Sequence, residues 1–321
     1  MLANLWLMDR PSRPPPHAYF AISALFHYLG PSFAVLLFAR VPVLGVAWLR
    51  IAAAAAVFAC WRRPWRVLRG PEPGMRRLLV GWGATLAAMN CCFYEAIDRL
   101  PLGTVAAIEF LPVIALAALG ARTARNAAAL LLAVAGVFLL THVQLSLEPI
   151  GLAFAFANAA LFATYIVLAH RVARHPGVRG IDGLAAAMLV AAVVVTPIAG
   201  IQAAGALADP VALLAGVGVG ISSSVIPYVT DQLAMARLSR ATYALMVALL
   251  PAIATVVGLV VLAQVPTPAE ATGVALVVCG VGVHRERDPE PEKLPACERF
   301  ADTRPPAWSI FARRGRAGHF P

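Results

Sequence analysis

Lysine is almost missing from this 321-residue chain: Lys293 stands alone in a Lys+Arg total of 26, so nearly all positive charge is arginine. Charge of any kind is scarce at 13% of residues, 60% are apolar, and mean hydropathy is +0.78. A soluble domain carries about a quarter charged residues and needs a polar exterior that this composition does not supply. The five cysteines (Cys60, Cys91, Cys92, Cys279, Cys297) form no CxxC and no Cys/His ligand spacing. That excludes a zinc site or a disulfide framework, and they read as small buried hydrophobes. HExxH, GxSxG and carboxylates clustered at a membrane face are also missing, so an enzyme finds little support and no cofactor or metal is implied. Gly216, Gly218 and Gly220 lack the strand and the Lys-Ser/Thr ending of a phosphate loop, and permit close helix packing instead. No repeated charged ring or filter sequence occurs, which favours a carrier over a pore. The apolar stretch in MLANLWLMDRPSRPPPH is too short for a cleaved signal peptide, so the first helix is expected to act as an uncleaved anchor. A formal net charge of +10 invites a nucleic-acid reading. The arginines sit instead where membrane loops fall, with no recognisable nucleic-acid module.

What is present is length in the apolar runs. A bilayer core of about 30 Å takes roughly 20 helical residues. Segments near 18–38, 42–61, 77–98, 101–121, 125–142, 149–170, 181–202, 210–235, 240–262 and 266–284 suit it. The expected fold is therefore an all-α membrane protein of ten transmembrane helices. Pro42, Pro101, Pro149, Pro176, Pro210, Pro266 and Pro268 mark the short connections. The runs are too long for barrel strands and do not alternate.

Arginine placement sets the orientation. With the N-terminus inside, cytoplasmic loops hold fifteen: Arg10, Arg13, Arg62, Arg63, Arg66, Arg69, Arg76, Arg77, Arg122, Arg125, Arg171, Arg174, Arg179, Arg237 and Arg240. The outer loops hold two, Arg40 and Arg99. The positive-inside bias then places both termini in the cytoplasm of a bacterial-type inner membrane.

The chain also repeats itself. AIDRLPLGT (Ala96 to Thr104) matches AMARLSRAT (Ala234 to Thr242) at Arg99–Leu100 and Thr104 with a common offset, and SALF at Ser23 resembles AALF at Ala159. Units of five helices, an odd number, insert in opposite senses, which gives two inverted repeats. The expected divisions are a cytoplasmic N-terminal segment 1–17, a first repeat 18–142, a second 149–284, and a disordered polar tail 285–321. WSIFARRGR (Trp308 to Arg316) in that tail is a candidate contact with the anionic leaflet, against the plainer reading of a solvated terminus.

Charges within the bilayer are expensive and therefore informative. Arg50 and Glu109 each lie eight residues into a helix that starts at the outer face, about 12 Å deep. Asn90 and Asn158 reach the same level and His27 lies a little deeper, so the five form a candidate polar belt around one cavity. Arg50 and Glu109 are placed to pair. One reading is a structural lock between two helices. Another has Arg50 attract a substrate carboxylate, and a third has Glu109 carry a coupling proton. Pro112, Pro227 and Pro251 fall inside apolar helices, where each frees a carbonyl and introduces a kink; Ser222, Ser223 and Ser224 supply hydroxyls one turn before Pro227.

GVAWLRIA (Gly45 to Ala52), MNCCFYEAIDRLPLGTVAAIEFLPVIALA (Met89 to Ala117) and RLSRATYALMVALLPAIA (Arg237 to Ala254) carry a family resemblance. The chain resembles the drug/metabolite transporter superfamily in its EamA group, and within that the threonine/homoserine exporter type. The resemblance spans about residues 18–284 and implies two five-helix repeats around a cavity that opens alternately to each side. It also places Arg50 and Glu109 on the family's intramembrane Arg and Glu positions. The expected function is a secondary carrier exporting small amino-acid-like metabolites, with protons as a candidate coupling ion. Its partners would then be a small-molecule substrate and the lipid bilayer, without nucleic acid. Two alternatives stand beside it. One is drug efflux, which Arg50 disfavours for cations unless Glu109 neutralises it. The other is a sensor or assembly protein, for which replacing Arg50 or Glu109 changes folding yield and nothing else.

Overall fold

The computed structural model describes residues 16–70, 72–120, 123–145, 148–173, 178, 180–235 and 249–283. Its helices are α1 (Pro16–Leu37), α2 (Val43–Arg62), α3 (Pro64–Arg69), α4 (Pro73–Arg99), α5 (Leu102–Gly120), α6 (Ala124–Leu145) and α7 (Pro149–Ala173). After them come α8 (Gly180–Ala199), α9 (Ala204–Ala208), α10 (Pro210–Gly220), a π-helical turn (Ile221–Val225), α11 (Ile226–Met235), α12 (Leu250–Leu262) and α13 (Pro268–Val283). No strand occurs among the described residues.

Local chemistry explains where the helices begin. α1, α3, α4, α7, α10 and α13 all open on proline, whose missing N–H is harmless in a first turn. Asp209 caps α10 by accepting from the Val211 amide at 2.9 Å. Thr267 and Glu270 cap α13 reciprocally: the Thr267 amide donates to Glu270 Oε2 at 2.8 Å, and the Glu270 amide donates to Thr267 Oγ1 at 3.2 Å. α2 ends where Arg63 turns left-handed at φ 50°, and Pro64 then starts α3.

Five spans are long and apolar enough to cross a membrane: Ala18–Leu37, Val43–Arg62, Pro149–Val172, Gly180–Ala199 and Pro210–Thr230. The last runs through α10, the π-turn and α11. α4 has 27 residues but is not among them, because it carries Asn90, Tyr94, Glu95 and Asp98.

Several expectations need correction. The arginine-rich stretch after α2 holds the short helix α3. α4 begins at Pro73, so Arg76 and Arg77 lie in its first turn, exposed. Pro251 stands second in α12, where proline is tolerated, and the expected helix before it, residues 240–248, lies outside the described residues. Pro112 is inside α5, and Pro31 and Pro197 interrupt α1 and α8 in the same way. Residues 1–15, the tail from 284 onward with Cys297 and WSIFARRGR, and most of the repeated AMARLSRAT segment lie outside the described residues.

The helices pack in matched sets. α4 lies on α7 and α8, while α11 and α10 lie on α1 and α2 respectively. α5 lies on α7 and α12 on α1, and two pairs close the set, α2 with α8 and α6 with α13. The α6–α13 seam runs backbone against backbone. A Cβ on Gly136 would stand 2.6 Å from the Gly273 carbonyl oxygen, and one on Gly280 would stand 2.7 Å from that of Ala129.

Candidate functional site

α1, α2, α4, α5, α7 and the π-turn each send polar side chains into the bundle. Arg50 on α2 and Glu109 on α5 are both 6% exposed, and Asn90 and Asn158 are also buried. His27 on α1 stays partly exposed, with its ring edge-on to Tyr28 at 5.2 Å.

The expected Arg50–Glu109 ion pair does not form. The ion pairs among the described residues are Arg62–Asp182, Arg99–Glu95 and Arg99–Asp98. Arg50 reaches across to the π-turn instead. Its Nε donates to Ser224 Oγ at 3.0 Å and its Nη2 to the Ser223 carbonyl at 3.1 Å. Its guanidinium also lies over the Tyr94 ring, 5.4 Å from the centroid.

The proline at 227 explains this acceptor. In an α-helix the amide of residue 227 would bond the carbonyl of Ser223, but proline has no N–H to give. The freed carbonyl is taken by Arg50 and not by the neighbouring serine hydroxyls. Ser222 Oγ turns back to the Val219 carbonyl at 3.2 Å, and Ser23 on α1 covers the carbonyl of Pro227 itself at 3.1 Å. Close approach of α1 makes the arrangement possible. A Cβ on Gly30 would fall 2.2 Å from Ser223 Oγ and 2.7 Å from its backbone nitrogen.

Glu109 has its own partner: Asn158 Nδ2 donates to Oε1 at 3.2 Å. The two charged residues still share one electrostatic environment. Arg50 acts on both Glu109 and His27, and Glu109 acts on Tyr28. Asn90 is less engaged, since its Nδ2 donates at 2.8 Å to the carbonyl of Leu86 in its own helix.

Among the described residues five buried side-chain polar atoms make no hydrogen bond of ordinary geometry: the Tyr28 and Tyr94 hydroxyls, Ser223 Oγ, Asn158 Oδ1 and Trp82 Nε1, although the Tyr94 hydroxyl still interacts with Arg50 and Ser223. Four of the five belong to this cluster. A buried polar atom left unpaired costs about 1–3 kcal/mol. Four in one place are a large imposition on a fold held by about 5–15 kcal/mol.

Sequence reasoning found Arg50, Glu109 and Asn158 because charge and amide groups are conspicuous in apolar runs. It missed Tyr28, Tyr94 and the role of Ser223 and Ser224. Tyr94 lies one helical turn from Asn90, on the same face, and that spacing was a readable signal. The Arg50–serine contact spans 174 residues and leaves no local trace.

The described cavities lie elsewhere. One of about 480 Å³ sits against α4 and α7, lined by Cys92, Ile150 and Phe154 among other apolar residues. Another of about 150 Å³ lies beside Gln264 and Glu270. Neither is lined by Arg50 or Glu109. Among the described residues no three His, Cys, Asp or Glu side chains group to hold a metal ion.

The EamA-like transporter family matches residues 149–284. The threonine/homoserine exporter RhtA of Escherichia coli (strain K12) is 30% identical over 256 residues, covering 78% of this chain and 84% of that protein. The exporter of the same name from Salmonella typhimurium (strain LT2) is 31% identical over 245 residues, covering 74% of this chain and 80% of that protein. A solved crystal structure superposes with a TM-score of 0.58 at 24% identity, over 84% of this chain and 98% of the other, a likeness of fold.

Proposed function

Because the chain belongs to the EamA-like transporter family, we propose that it is a secondary carrier exporting small amino-acid-like metabolites by alternating access. It is a multi-pass membrane protein, in keeping with its transporter family and its apolar helices. The observation that carries the substrate class is the separation of Arg50 from Glu109. Two buried opposite charges with different partners leave a cation free for a carboxylate and an anion free for an ammonium group. An ion pair kept only for structure would have closed on itself.

The matched packing supports the reading of ten spans in two inverted five-helix repeats. Exchanging the halves carries α4 on α7 into α11 on α1, and α5 on α7 into α12 on α1. Such symmetry lets one half rock against the other about a midplane site. The arginine distribution supports cytoplasmic termini: a reporter fused at Leu145 should lie outside and one at His175 inside. Protons are the candidate coupling ion, with Glu109 as the carrier.

The test is export of labelled threonine, homoserine and other amino acids from cells expressing the chain, beside Arg50→Ala and Glu109→Gln variants matched for membrane level. Faster efflux of one compound, abolished in either variant, is the expected result. Parental export by both variants, or no movement of any amino acid, would overturn the reading.

A further inference from the structure

The unpartnered atoms around Arg50 and Glu109 are sorted by chemistry. On the Arg50 side stand groups able to donate: the hydroxyl of Tyr94, whose ring lies under the guanidinium and which interacts with Arg50 and Ser223 without a hydrogen bond of ordinary geometry, and Ser223 Oγ in the residue whose carbonyl Arg50 holds. Nη1 of Arg50 makes no hydrogen bond among the described residues, so one edge of the guanidinium fork is open. On the Glu109 side stand acceptors. Asn158 spends its Nδ2 on Glu109 Oε1, which leaves Oδ1 unpaired, and Oε2 of Glu109 makes no hydrogen bond among the described residues.

We infer that the cluster is a two-pole site for a free zwitterionic α-amino acid, with Arg50, Tyr94 and Ser223 on the carboxylate and Glu109 and Asn158 on the ammonium. This rests on the exporter reading and adds to it the residues at each pole. The donor and acceptor chemistry matches at each pole. A carboxylate only accepts, and a guanidinium edge with two hydroxyls is a donor set for it. An ammonium only donates, and a carboxylate oxygen with an amide oxygen is an acceptor set for it. The polarity also excludes ligands. A compound lacking the carboxylate leaves the open guanidinium edge without an acceptor. One lacking the ammonium leaves two buried acceptors without a proton. Sites built on hydrogen bonds reject such analogues strongly, because the loss leaves buried polar groups exposed to nothing.

The experiment is competition against labelled threonine bound to the purified full-length chain in detergent. The competitors are unlabelled threonine, threonine methyl ester and N-acetylthreonine. Each analogue should bind at least about tenfold more weakly than threonine. Tyr94→Phe should weaken threonine but leave the methyl ester nearly unchanged, because that ester has already lost the partner of the hydroxyl. Asn158→Leu should weaken threonine but leave N-acetylthreonine nearly unchanged. Phe keeps the ring under Arg50, so Tyr94→Phe tests the hydroxyl alone, and thermal melting of each variant checks folding. If threonine binds but both analogues compete equally well, the two-pole assignment is overturned and the exporter reading survives. If Tyr94→Phe weakens threonine and its ester alike, Tyr94 does not belong to the carboxylate pole. If no amino acid competes for the parent chain, the exporter reading falls and the assignment with it.

Discussion

The α6–α13 seam and the Arg50 cluster are buried in the same bundle, yet they satisfy burial in opposite ways. Along the seam, residues 129–140 and 273–280 are apolar on both helices, and glycines let one backbone touch the other. Such a contact has one good geometry and gains nothing by changing. In the cluster, four polar atoms are buried without partners and two charges decline to pair. It gains partners only by rearranging or by taking a ligand. A bundle that must alternate needs both, a seam that keeps its geometry and a centre that does not.

That contrast can be broken most severely at the seam. Gly136→Leu drives a side chain into the Gly273 carbonyl, where backbone cannot yield, and should cost about 3 kcal/mol or more. The expected outcome is little folded protein in the membrane, read as loss of a monodisperse peak after detergent extraction. Arg50→Met and Glu109→Gln should do the reverse. Both should accumulate near parental levels while export falls by about a hundredfold. If they vanish from the membrane as Gly136→Leu does, the cluster is structural and the contrast collapses.

Smaller changes sharpen it. Gly30→Ala places a methyl against Ser223 Oγ and its backbone nitrogen, so it should displace the π-turn and lower export about tenfold at modest loss of thermal stability. Ser224→Ala removes one of the two hydrogen bonds to Arg50, worth about 1 kcal/mol, and should lower export several-fold. The smallest effect should come from Arg62→Gln. Its bridge to Asp182 lies at the ends of α2 and α8, partly in solvent, so no more than about 1 kcal/mol is expected, as a small shift in Tm.

Most of the bundle was legible because apolar length and proline placement are local signals. The helix starts at Pro149, Pro210 and Pro268 needed nothing beyond a residue and its neighbours. α3 and α9 were not legible, since six and five residues are too few to show a period. The site was half legible. A buried Arg and Glu announce themselves by their cost, but whether they pair depends on how α2, α5 and α10 to α11 sit against one another. Pro227 was read as freeing a carbonyl. That Arg50 would claim it was not readable, because the claim crosses 173 residues.

The five-residue π-turn has a geometric consequence of its own. A wide turn inside an α-helix holds one residue more than the axis needs, so it works as a phase fault between α10 and α11. Absorbing that surplus would rotate every later side chain of α11 by about 100° and advance it about 1.5 Å along the axis. Arg50 grips the fault itself, through Ser223 and Ser224. A ligand that drew the guanidinium away would therefore release a rotation in a helix packed along α1, turning a loss of two hydrogen bonds into torque.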